Sequence, residues 1–511
     1  MDSDKEIEME FEPIYEKLSC SLKRKNFFDQ IKIDCKTEVD AQNILSVLNV
    51  SAWAFISEYK CENGQINYGG KANFYISFTD IENKLKKCEC AVEFKGNIKD
   101  DCILENDKLI IDGIVEKCSF DLTGAFLSVE GYVSVKAEVN SFTQANALVG
   151  GENLVVDERE FSFLKTSGIR KTTYPLEEEF ILNYPVLEVL NHRADALITA
   201  VQCGVGCIIV DGEVLFKAIM LQKNDNNDII KESFTLPFRV EIECEECMPS
   251  MQSIARVKER AFKVDITVDT EKNQSTMRVS VNLVFQGEAF YFENILLAQD
   301  IFSTQKEIEL SHSNIDYSVV KEMKYCSLNI VNRVGLEENA QDCMLLSTFN
   351  EQCEVLKIEK ESEGAKISGA ITLTLILKDN QGKVFTSRIE TPFEREVDLE
   401  FDNNLDISQI ARVKKCKARI ISKEEIEVDC DLYFTFYPEE KNQIRVIDSV
   451  KIVGDKEMPT SAISVYIPTS GEELWSLAKK LNICPTALIE TNKELQFPLN
   501  GNERIVVYRQ K

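Results

Sequence analysis

A chain of 511 residues is too long for one hydrophobic core, so three or four domains are expected. Its hydrophobic fraction of 44% fits folded domains rather than disorder, and a net charge of −27 argues against a primary role on nucleic acid or an anionic membrane. That acidity serves solubility or meets a basic partner surface, and no apolar run approaches the roughly 18–20 residues of a membrane span.

The first residues, "MDSDKEIEMEFEPIYEKL", are acidic where a secretory signal is basic and then apolar. The chain is therefore expected to stay in the cytoplasm. Residues 1–27 read as an N-terminal segment with one possible helix.

Three domain-sized units follow, over residues 28–160, 161–310 and 311–452. Each repeats a glycine, a phenylalanine and a valine at similar spacing: Gly70, Phe94 and Val115; Gly212, Phe238 and Val257; Gly369, Phe393 and Val413. Within each unit the pattern is mainly β. In "AITLTLILKD", Ile371, Leu373, Leu375 and Leu377 alternate with other residues, the period of a half-buried strand. A small sandwich or barrel per unit is expected. The anchor glycines read as a turn or strand entry that tolerates no side chain. "ARVK", at 255–258 and again at 411–414, reads as a solvated strand edge guarded by lysine, with a partner contact as the alternative.

The 17 cysteines, without an export signal, read as reduced thiols serving largely as small core residues. "CEEC" (Cys244, Cys247) is the best metal candidate, with "CGVGC" (Cys203, Cys207) and "CEC" (Cys88, Cys90) behind it. A structural zinc site wants two such pairs or spaced histidines, and His192 and His312 are isolated in sequence. Neither a metal nor another cofactor is expected. No Ser-His-Asp or Cys-His set and no phosphate-cradling glycine motif stands out, so binding or scaffolding is favoured over catalysis.

Residues 453–461 read as a linker, and 462–511 as a strand, helix, helix, strand module. Ser470 is the expected N-cap, with Glu473 at capping-box spacing. Leu474, Leu477, Ala478 and Leu481 share one helical face, and Pro485 suits the first turn of a second helix.

The module resembles a LysM domain. Tyr466, Gly471, Leu474, Trp475, Leu477 and Ala478 fit the first part of that pattern, Leu488 and Asn492 the second, and Gly501 and Ile505 the third; Glu472 and Glu473 stand where Asp-Thr is usual. The resemblance implies a βααβ fold and binding of N-acetylglucosamine polymers through loops carrying Gly471, Glu472 and Asn492. Three β repeats followed by such a module resemble the SPOCS-domain family of spore-forming Firmicutes. That implies a non-enzymatic spore coat morphogenesis protein in the mother-cell cytoplasm, acting at the forespore surface. It also implies a partner, the coat-basement ATPase called stage IV sporulation protein A, held by the LysM-like module. Ile463, Tyr466 and Trp475 are the expected contact residues. The alternative is a peptidoglycan-binding protein of the spore cortex or cell wall.

Overall fold

Alternating apolar and polar residues carry extended backbone through almost the whole chain, and the strands pair antiparallel throughout. A computed structural model describes residues 12–105, 107–224, 227–361, 364–399, 405–457 and 463–508. The first unit contains β1 (Pro13–Asp40), β2 (Ile44–Glu62), β3 (Gln65–Asp80), β4 (Leu85–Lys99), β5 (Lys108–Asp121) and β6 (Phe126–Gly151). The second contains β7 (Val155–Thr166), β8 (Arg170–Leu182), β9 (Val186–Cys203), β10 (Cys207–Gln222), β11 (Ile229–Glu243), β12 (Gln252–Asp269) and β13 (Gln274–Phe302). The third contains β14 (Lys306–Val320), β15 (Lys324–Gly335), β16 (Met344–Glu361), β17 (Gly364–Lys378), β18 (Val384–Val397), β19 (Leu405–Ile420) and β20 (Glu425–Asp455). The chain closes with β21 (Ile463–Tyr466), α1 (Leu474–Leu481), α2 (Pro485–Thr491) and β22 (Ile505–Tyr508). Among the described residues no helix is long and apolar enough to cross a membrane.

The same pairing recurs in each unit. One sheet is a three-stranded meander: β2-β3-β4, then β9-β10-β11, then β16-β17-β18. The other is built around the long strands β6, β13 and β20, which carry β5, β12 and β19 on one side. The two sheets of a unit face each other across one core; in the first unit Phe74 and Phe94 meet Val129, Val133 and Val135. Each unit is thus a β-sandwich.

The anchor glycines lie in mid-strand, not at a turn. Gly70, Gly212 and Gly369 stand directly opposite Phe94, Phe238 and Phe393 on the central strand of each meander. A Cβ at any of the three would fall onto the carbonyl oxygen of Phe55, Leu197 or Glu354 and onto the facing phenylalanine ring. The spacing therefore records a cross-strand glycine–phenylalanine pair, in which the ring covers the bare backbone. Gly369→Ala is expected to cost about 3 kcal/mol through overpacking, read as a lower urea midpoint. Adding Phe393→Leu should not restore it, because the Glu354 carbonyl is backbone and cannot turn away.

The long strands outrun their sandwiches. The ends of β6, β13 and β20 leave as two-stranded ribbons with the start of β1, with β7 and with β14. A lone two-stranded ribbon is marginal in water. Here the three pack together: Leu18 and Ala147 of the first, Ile295 and Leu297 of the second, and Ile444 and Val446 of the third share one apolar cluster. A hydrogen bond donated by the Val450 N–H to the Tyr15 side-chain hydroxyl, at 3.1 Å, ties the first ribbon to the third.

These ribbons correct the expected boundaries. Residues 13–27 are the opening half of β1 rather than a helix, and those before residue 12 lie outside the described residues. The boundaries after 160, 310 and 452 each fall inside a strand, β7, β14 and β20. Val453–Asp455, expected as linker, completes β20, and 458–461 lies outside the described residues. Polar, acidic stretches such as "DERE" (157–160) look like connectors in sequence because a ribbon hides only part of its surface.

The "ARVK" segments lie on β12 and β19, but their cations face the neighbouring unit instead of solvent. Arg256 pairs with Glu138 at 2.9 Å and Lys258 with Asp112 at 3.0 Å, joining the second unit to the first. Arg412 stands 3.8 Å from Asp195, and Lys414 pairs with Glu213 at 2.5 Å, joining the third unit to the second. The three sandwiches also share an apolar junction that includes Leu48, Leu190, Ile219, Phe349 and Ile376.

Candidate functional site

The C-terminal βααβ element builds its own core from Leu477, Ala478, Leu488, Ile505 and Val507. The helix α1 begins after Glu473, whose side chain makes no cap bond, and not after Ser470. The reason is the turn before it: Gly471 adopts φ +90° and its N–H bonds the Leu499 carbonyl at 2.7 Å, so Glu472 and Glu473 still belong to the loop. Asn482, with φ +55°, closes α1 in the left-handed conformation that favours asparagine. Pro485 opens α2, where a missing N–H costs nothing.

Of the three expected contact residues, only Ile463 stands free. Strand β21 pairs with β22 so that Ile463 faces Tyr508 and Val465 faces Val506. These four point away from the helices and are exposed by 62%, 53%, 61% and 39% respectively. Ile467, 68% exposed, extends the row. A β-ribbon has two faces and this module covers one of them, leaving a contiguous apolar strip on the other. The strip includes Val465, Val506 and Tyr508, none of them an expected contact residue; the available signal was alternation, of Val465 with Ser464 and Tyr466 and of Val506 and Tyr508 with buried Ile505 and Val507.

Tyr466 turns inward and is half-buried. Its hydroxyl donates to Glu472 at 3.1 Å and accepts from Lys480 at 2.5 Å. The Lys480 ammonium holds the Glu472 carboxyl below the usual range, and Glu472 and Tyr466 together raise Lys480.

Trp475 meets this chain itself. Its indole N–H donates to Asp300 at 2.8 Å, and its ring packs edge-on to Phe302 with centroids 5.3 Å apart. Lys479 bonds the same carboxylate at 2.6 Å, and Asn482 donates to the Thr304 carbonyl at 2.5 Å. The module is thereby docked on the tip of the second ribbon, with Trp475 used in the docking rather than offered on a free surface.

Burial opposes ionisation of Asp300, but the bonds from Lys479 and Trp475 outweigh it and hold the carboxyl below its ordinary range. A depressed folded pKa means the docking is complete above the unfolded value and is lost as pH falls through the folded one. Asp300→Ala is expected to weaken docking by about 2 kcal/mol, the size of a charge-assisted hydrogen bond. The readout is a red shift of tryptophan emission at neutral pH, which the parent protein reaches only in acid.

The expected sugar loops are committed internally. Asn492 accepts from Val506 N and donates to Val506 O, both at 2.7 Å, tying α2 to β22. Glu472 is bonded to Tyr466, Lys480 and the Thr469 N–H. Gly471 serves the turn.

Comparison with protein families, curated proteins and solved structures returned no match.

The two cysteine pairs of the second unit do come together in space. Gly206 N donates to the Cys247 carbonyl and Cys244 N to the Gly206 carbonyl, both at 2.9 Å. Burial and the neighbouring Cys203 push the Cys247 thiol up to about 12. In the first unit the same turn pairs Gly64 N with the Ile103 carbonyl at 2.8 Å, and Ile103 is fully buried. Cys247 therefore fills a position that an isoleucine fills elsewhere in the chain. Among the described residues no group of three or more His, Cys, Asp or Glu is placed to hold a metal ion.

Proposed function

We propose that this chain is a non-enzymatic assembly protein that recruits a protein partner through the outer face of β21 and β22. The observation that carries the reading is the apolar strip of Ile463, Val465, Ile467, Val506 and Tyr508, left uncovered on an otherwise acidic protein. An apolar centre with an aromatic residue is the chemistry of a protein contact. Glycan recognition needs free polar groups around a stacking surface, and Glu472 and Asn492 spend theirs inside the module.

The resemblance to SPOCS and LysM domains gives this reading its setting. The chain then acts in the mother-cell cytoplasm at the forespore surface, and its partner is the coat-basement ATPase, stage IV sporulation protein A. The three sandwiches and their bundled ribbons serve as the body that presents the module.

The test is co-purification of that ATPase with the full chain and with Val465→Glu, beside binding of N-acetylglucosamine oligomers to both. Loss of the ATPase with the variant is the expected result. Glycan binding by the parent, with no ATPase retained, would replace this reading by the wall-binding one.

A further inference from the structure

The three sandwiches enclose a cleft of about 1030 Å³ to which all three contribute lining. Its origin is legible in the repeat. With Val115, Val257 and Val413 aligned, the arginine and lysine that join the second unit to the first and the third to the second are replaced in the first unit by Ile114 and Glu116. The pair that knits two of the junctions is missing from the first unit, and Ile114 is left 62% exposed on the cleft wall.

The charge of this cleft opposes that of the molecule. Nine Lys and Arg side chains line it against five Asp and Glu, four positive charges in excess, in a chain of net charge −27. The carboxylates are engaged by protein donors, as Glu138 is by Arg256 at 2.9 Å and Asp195 by Arg193 at 2.8 Å. Lys117, Lys136, Arg260 and Arg388 have no ion-pair or hydrogen-bond partner among the described residues.

Two buried amides of the cleft also have N–H groups to spare. Asn191 is only 9% exposed and lines the cleft, and its Nδ2 has no partner. Asn49 receives a bond from Asn350 on its Oδ1 at 3.0 Å, which fixes its orientation and leaves its buried Nδ2 unmatched. A buried donor without an acceptor costs free energy, and Asn49 and Asn191 present two such donors to the cleft, where the buried Oε1 of Gln286 is the opposite case, an acceptor without a donor. Unpaired Arg and Lys in the same cleft as orphaned amide N–H groups are the complement of a carboxylate or phosphate oxygen.

We propose that the cleft binds a small acceptor-rich polyanion, an oligophosphate or a polycarboxylate, held by Lys117, Lys136, Arg260 and Arg388 with Asn49 and Asn191. Its volume suits a small molecule rather than a folded partner. This site is separate from the β21–β22 face and stands or falls independently of it.

Trp53 lines the cleft and is one of the two tryptophans, so Trp475→Phe makes the remaining emission a local reporter. Full-length Trp475→Phe protein is titrated with tripolyphosphate and, separately, with citrate, each against sodium chloride at matched ionic strength. Saturable change in Trp53 emission with at least one anion is expected, and the arm that saturates names the phosphate or carboxylate class. Arg260→Gln with Arg388→Gln should weaken that binding about tenfold or more, the size of one lost charge-assisted bond. If circular dichroism shows this pair to be misfolded, Lys136→Gln alone carries the test, with a smaller loss. Emission that follows ionic strength alone, or undiminished affinity in the folded variant, overturns the proposal.

Discussion

Glu351→Ala is expected to destabilise the chain by about 3–5 kcal/mol, because it removes one member of a buried ion network and leaves the others. Glu351 is 4% exposed on β16 of the third unit, and it pairs with Lys231 of the second. Lys217, also buried, lies 3.8 Å from the same carboxylate and donates to the Val413 carbonyl at 2.8 Å. Without Glu351, the buried Lys217 ammonium loses its nearest carboxylate and keeps the Val413 carbonyl as its hydrogen-bond acceptor. Burial opposes ionisation of Glu351, yet Lys231 and Lys217 prevail and hold its carboxyl below the ordinary range. Its folded pKa is depressed, so its stabilisation is present above the unfolded value and lost as pH falls through the folded one. The gap between parent and variant in urea midpoint should therefore narrow in acid. Glu359→Ala, which removes an exposed pair with Lys357, should shift the midpoint little. Equal shifts for the two substitutions would sink the argument.

Val465→Glu is expected to reduce partner affinity by about 2–4 kcal/mol, roughly 30-fold to 1000-fold, as for a central apolar contact. Val465 is 61% exposed and pairs with Val506, so a glutamate there has solvent to occupy in the free protein. The module core of Leu477, Ala478, Ile505 and Val507 lies on the other face of the ribbon and should be untouched by circular dichroism. The cost falls on the complex, where the carboxylate is desolvated against an apolar partner. Trp475→Glu makes a useful contrast. It places a second carboxylate beside Asp300 and breaks the packing on Phe302, so its first effect is to undock the module. A variant at Val465 that leaves affinity unchanged, with Trp475→Glu abolishing it, would move the binding surface to the docking side of α1.

Local pattern and long-range position were unequally legible. The alternation in "AITLTLILKD" announces a strand because side chains on a pleated strand point to opposite faces whatever lies beyond them. Pro485 announces the start of α2 for a reason confined to its own first turn. The glycine–phenylalanine spacing was visible as a repeat, but its meaning was not: a glycine in mid-strand looks like a turn until the ring that covers it is seen across the sheet. Ser470 and Glu473 match a capping box, yet the bond from Gly471 to Leu499 delays the helix. "ARVK" reads as a guarded edge because its acidic partners, Glu138, Asp112, Asp195 and Glu213, lie more than a hundred residues away.

A mainly β chain and a short βααβ tail follow from the order of residues alone. That order also sets which residues along each strand are apolar. These depend on backbone sterics and on periods of two or about 3.6 residues, which act over a few neighbours. Where those faces meet is a matter of the assembled fold. It bundled the long strand ends into three ribbons, docked Trp475 on Asp300 and Phe302, and left Ile463, Val465 and Val506 uncovered. It also left a cationic cleft inside an acidic protein. Such outcomes rest on contacts between residues distant in the chain, which no local period encodes, and on which face is buried once the units assemble.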